Sequence, residues 1–75
     1  MKEKIKEIIK QAFELQKVDD LISQSNCNQW DSLRHLNLIV DLEEAFKVSF
    51  EPEEIAEMKD LKYIEAIILK KKEHS

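Results

Sequence analysis

Asp31, Ser32 and His35 bring a carboxylate, a hydroxyl and an imidazole into five consecutive positions, the side-chain types from which nucleophilic hydrolase sites are built. Such a site needs groups converging from separate elements on a pocket with an oxyanion hole. Here all three share about one turn of a single prospective helix, so no catalytic residue is expected, and His35 is expected to face solvent beside Ser32. Cys27, His35 and His74 are too sparse for zinc, which takes four ligands at tight spacing, and no metal site is expected. Cys27 is the one cysteine, excluding an internal disulfide; in a polar loop it reads as a bystander with an accessible thiol. Ser32 keeps its interest for another reason. A hydroxyl at a helix N-terminus sits in a partial positive field that favours a phosphate ester. With Asp31 in the capping position, the Ser32 side chain points outward with no structural duty.

The elements that must hold Ser32 follow from apolar spacing. Ile5, Ile8, Ile9, Ala12 and Phe13 line one stripe of a helix over Lys2 to Gln16. Lys17 to Trp30 is rich in Asp, Ser, Asn and Gln and reads as a long ordered loop, pinned by Val18, Leu21 and Ile22. Trp30, just before the cap, is read as packing onto the bundle like a staple. A second helix starts at Asp31 and runs to about Phe46, with Leu33, Leu36, Ile39, Val40, Leu42 and Phe46 as a broad apolar face that Leu38 and Ala45 widen. Lys47 to Glu51 reads as a short extended connection, because Pro52 restricts the residue before it. Pro52 opens a short helix to about Met58. Asp60 caps a last helix whose stripe is Leu61, Ile64, Ile67 and Ile68 and whose end, Lys70-Lys71-Lys72, suits a C-terminus; Lys70 to Ser75 is expected to fray. The fold class is all-α: a small four-helix bundle of three longer helices and one short one, as a single domain over residues 1–75.

At 75 residues and 43% apolar composition, one small core is affordable and a second domain is not. Glycine is absent, which argues against phosphate-cradling loops and dinucleotide fingerprints. No apolar run approaches a membrane span, and Met1 to Lys4 leads into an amphipathic pattern rather than a signal segment, so a cytoplasmic protein without membrane insertion is expected. The net charge of −4 conceals a pattern: +2 over residues 1–17, −8 over 18–58 and +2 over 59–75. An acidic middle repels nucleic acid and steers basic partners.

Asp31-Ser32-Leu33, then an apolar helix closing on Leu42-Glu43-Glu44-Ala45-Phe46, then Phe50, Glu53-Glu54-Ile55 and Ile64, resemble the acyl carrier proteins from the first helix to Ile68. The resemblance implies a phosphopantetheine-binding carrier domain that is not itself an enzyme. Ser32, between Asp31 and Leu33, would carry 4'-phosphopantetheine through a phosphodiester, donated by coenzyme A and installed by a phosphopantetheinyl transferase. Acyl groups would travel as thioesters on that arm between acyl-loading and acyl-accepting enzymes with basic docking patches. Carried over by position, Asp31, Arg34, Asp41, Glu43 and Glu44 would face those partners, and Leu36, Ile39, Val40, Phe46, Ile55 and Ile64 would border any acyl slot. The resemblance also implies a monomer. Arg34, His35 and Asn37 stand where housekeeping fatty-acid carriers place acids, and the loop before the motif lacks the family's glycine. Both departures favour a specialised carrier of a dedicated biosynthetic cluster, such as surface polysaccharide or secondary metabolite assembly. The competing reading is a carrier-like interaction module that lacks the modification and binds partners through its acidic central helix.

Overall fold

The computed structural model describes residues 1–73; His74 and Ser75, and the zinc and fraying expectations that touch them, lie outside the described residues. Four helices form, α1 (Lys2–Ala12), α2 (Ser32–Phe46), α3 (Pro52–Glu57) and α4 (Leu61–Glu73). They make the expected all-α bundle, with α1 packed on both α2 and α4.

α1 buries Ile5, Ile9 and, just past its end, Phe13, at the spacing of four that keeps one helix face inward. It stops at Ala12, short of the expected Gln16. Glu14 adopts a left-handed conformation at φ 55°, its amide donating to the Gln11 carbonyl at 3.4 Å and that of Leu15 to the Lys10 carbonyl at 2.9 Å. This is a Schellman closure, usually made by glycine. The reversal folds Leu15 and Val18 back against the core, where a longer helix would have carried them away.

α2 closes in the same manner around Lys47 at φ 57°, so the segment expected to be extended begins instead with a left-handed turn. The Lys47 and Val48 amides both reach the Glu43 carbonyl. Lys4 and Lys72 donate to the Ala45 and Phe46 carbonyls at 3.3 and 3.0 Å, placing positive charge at the negative end of the helix dipole. The buried face of α2 is His35, Leu38, Ile39, Leu42 and Phe46, which corrects two expectations. His35 is inside the protein, and Leu33, Leu36 and Val40 are 70%, 56% and 52% exposed. A helix apolar on most of its circumference gives two candidate stripes, and the neighbours, not the periodicity, select one.

The loop between α1 and α2 is fastened at several points. Ile22, Cys27 and Trp30 are buried, so Cys27 is no exposed thiol; its Sγ lies 3.7 Å from Gln29 Oε1. Ser23 pairs antiparallel with Asp60 in an isolated bridge, beside bonds from the Gln24 amide to the Lys59 carbonyl (2.9 Å) and from the Leu61 amide to the Ile22 carbonyl (3.1 Å). Lys2 and Lys6 both reach Asp20, tying α1 to the same loop.

Pro52 opens α3, and the Glu54 carboxylate accepts from the Glu51 amide at 2.7 Å and from Lys71 at 2.8 Å. Asp60 Oδ1 accepts from the Tyr63 amide at 2.7 Å, the expected cap. α4 buries Leu61, Ile64, Ile67 and Ile68 and is helical from Leu61 through Glu73. Among the described residues, no helix is long and apolar enough to cross a membrane.

Candidate functional site

Asp31 has extended backbone, φ −96° and ψ 179°, and its Oδ1 accepts from the Arg34 amide at 2.8 Å. One of the unpaired donors at the start of α2, the Arg34 amide, is thus served by the aspartate. Ser32, the first helical residue, is exposed, and its hydroxyl takes no part in capping. The combination is an accessible alcohol at the positive end of a long helix, held by a neighbour rather than by its own hydrogen bond.

Beneath Ser32 lies a polar network that the sequence reading missed. Trp30 Nε1–H donates to His35 Nδ1 at 2.9 Å, and the other ring nitrogen, Nε2, lies 2.8 Å from the Ile55 carbonyl of α3. Trp30 is only 4% exposed and His35 9%. The indole also packs against Phe13, ring centroids 5.2 Å apart, so Trp30 does staple the loop to the bundle. A signal for the buried His35 existed: positions 35, 38, 39, 42 and 46 form one stripe at helical spacing, with the imidazole as its first member.

Both nitrogens of His35 are engaged, so the imidazole has no lone pair left to take a proton from Ser32. Asp31, Ser32 and His35 therefore do not assemble as a hydrolytic relay. Among the described residues, no three His, Cys, Asp or Glu side chains cluster as metal ligands.

A shallow groove of about 360 Å³ runs beside Ser32 between α2 and α3, lined also by Gln24, His35, Leu36, Pro52, Ile55 and Ala56. The residues carried over to an acyl slot divide. Ile39, Phe46 and Ile64 are core, Ile55 is half-buried at the groove wall, and Leu36 and Val40 face solvent. Together with Leu33 they make an apolar stripe descending from Ser32 along the outer face of α2.

The partner-facing candidates divide as well. Asp41 and Glu44 are exposed. Glu43 is half-buried and accepts from the Phe50 amide at 2.9 Å, so its carboxylate holds the connection to α3. Arg34 reaches Glu14 at 3.8 Å. Of Arg34, His35 and Asn37, only Asn37 is fully presented, Arg34 being half-buried and His35 inside. Compared with known families and curated proteins, the chain matches no family model and no curated sequence.

Proposed function

We propose that the protein is an acyl carrier modified at Ser32. The observation that carries this reading is the division of labour at the start of α2: Asp31 caps, and the exposed Ser32 hydroxyl is left over for chemistry. The local residues fit a phosphopantetheine arm. A phosphodiester on Ser32 would add negative charge at a helix N-terminus, favourable by about 0.3–1 kcal/mol at an exposed site, and the adjoining groove offers apolar wall from Leu36, Ile55 and Ala56 with Gln24 among its polar lining. Ser32 Oγ forms the new bond to the phosphorus of coenzyme A that bears the pantetheine. The pyrophosphate link breaks, adenosine bisphosphate leaves with the electron pair, and the hydroxyl proton passes to a base on the transferase. Once attached, the arm would supply a terminal thiol able to hold acyl groups as thioesters, while this chain's residues bind and orient.

The stripe of Leu33, Leu36 and Val40, with Asp41 and Glu44 beside it, is the docking face in this reading. It offers partners an apolar centre and suits enzymes with basic rims. We place the protein in the cytoplasm, as a specialised carrier serving a dedicated biosynthetic assembly. The test is intact mass after incubation with coenzyme A and a broad-specificity phosphopantetheinyl transferase. Wild type gains one phosphopantetheine and Ser32→Ala gains none; an unchanged wild-type mass beside a control carrier that is loaded refutes the proposal.

The same stripe supports a second reading, because it is exposed whether or not Ser32 is modified. An unmodified interaction module predicts that Ser32→Ala retains full activity in the producing cell and that Leu36→Asp abolishes it.

A further inference from the structure

We infer that His35 is a positioning residue for Ser32: held as one tautomer between Trp30 and Ile55, it fixes the turn that presents the hydroxyl and the α3 wall of the groove beside it. This rests on the carrier reading and specifies how that site is held.

The tautomer follows from donor and acceptor chemistry. An indole N–H only donates, so Nδ1 must offer its lone pair to Trp30; a carbonyl only accepts, so Nε2 must carry the proton toward Ile55. Only a neutral imidazole protonated at Nε2 satisfies both contacts, at 2.9 and 2.8 Å. The Trp30–Nδ1 contact is buried, so water does not readily replace the indole there.

The connectivity places Ser32 at the centre. The Asp31–Arg34 bond closes a small turn around Ser32 and Leu33, and the Trp30–His35 bond closes a second turn around the first. The third bond leaves this nested pair for α3. It ends on the Ile55 carbonyl, which also accepts from the Met58 amide at 3.3 Å, so the last turn of α3 is anchored to the first turn of α2. Pro52, Ile55 and Ala56, the α3 side of the groove, move only as far as this joint permits. A nucleophile delivered to another protein's active site reacts fastest when its orientation is set beforehand. Ser32 is exposed, so that constraint comes from its turn: from the Asp31 cap and, beneath it, from His35.

The test uses the full chain as wild type, His35→Ala and His35→Gln, at a temperature where far-ultraviolet circular dichroism shows each one folded. Long-range nitrogen–proton correlation spectra of the wild-type imidazole are expected to show a protonated Nε2 and a lone pair on Nδ1; the opposite tautomer overturns the inference. In steady-state loading from coenzyme A, His35→Ala is expected to lower kcat about tenfold or more, the scale of a misplaced reacting group. KM should stay within about twofold, because the Leu33, Leu36 and Val40 face that supplies docking energy is untouched. His35→Gln, which offers an amide oxygen and an amide N–H, should recover part of kcat. A folded His35→Ala loaded at the wild-type kcat overturns the inference. If that variant does not fold, Trp30→Phe removes only the indole donor and is expected to lower kcat in the same direction; an unchanged kcat there is equally fatal. A wild type that takes up no arm while a control carrier does refutes the carrier reading and this one with it, whereas loaded wild type with unaltered variants refutes this one alone.

Discussion

Trp30 and His35 bond to each other across the turn that carries Ser32, indole Nε1 to imidazole Nδ1 at 2.9 Å. Trp30→Phe keeps an aromatic ring against Phe13 and removes the donor, leaving the buried Nδ1 unsatisfied. A loss of about 1–3 kcal/mol is expected, read from urea denaturation. Trp30→Phe combined with His35→Leu should cost less than the sum of the single changes, since the double variant leaves neither polar partner orphaned.

Asp31 and Ser32 are adjacent and should behave oppositely. Asp31→Ala removes the acceptor of the Arg34 amide and should cost about 1 kcal/mol in thermal or urea unfolding. Ser32→Ala touches an exposed side chain without a capping role and should stay within about 0.5 kcal/mol of wild type. It should nevertheless abolish the mass gain from coenzyme A.

Glu14 and Lys47 hold left-handed conformations, at φ 55° and 57°, in a chain with no glycine. Side chains with a Cβ are disfavoured there. Lys47→Gly should therefore stabilise the protein by about 0.5–1 kcal/mol, the relief of strain exceeding the added freedom of the unfolded chain. Equilibrium unfolding in urea measures the gain.

Stability should fall at both extremes of pH. The Glu54 carboxyl is held below its ordinary value by the Glu51 amide and then by Lys71, and that of Asp20 by its hydrogen bond from Lys6 and then by Lys2, burial opposing each only in part. For a depressed carboxyl the stabilisation is complete above the unfolded value, 4.5 for Glu54 and 3.8 for Asp20, and is lost as pH falls through the folded one. Lys6 is raised above 10.5, chiefly by the Asp20 hydrogen bond, so its contribution is complete below 10.5 and lost as pH rises through the folded value. Urea midpoints against pH should show a plateau between these limits, and Glu54→Gln should flatten the acid side.

Leu36 is 56% exposed on the docking face. Leu36→Asp should leave unfolding within about 0.5 kcal/mol and reduce kcat/KM for transferase loading about tenfold, the loss of one apolar contact of about 1.4 kcal/mol.

Much was legible in the sequence because it is local. Helix starts at Asp31, Pro52 and Asp60, the stripes of α1 and α4, and the spare hydroxyl of Ser32 depend on spacing and capping within a few residues, which chain order alone determines. The end of α1 was not legible, since a left-handed Glu14 is disfavoured intrinsically and is held by what Leu15 and Val18 gain against the core. Nor was the inward stripe of α2. Leu33, Leu36 and Val40 are as apolar as Leu38, Ile39 and Leu42, and only packing against α1 and the loop selects between them. His35 shows the limit most clearly: a histidine belongs inside only where both nitrogens find partners, and its partners, five residues back in the loop and twenty residues on in α3, come together only when the chain has folded.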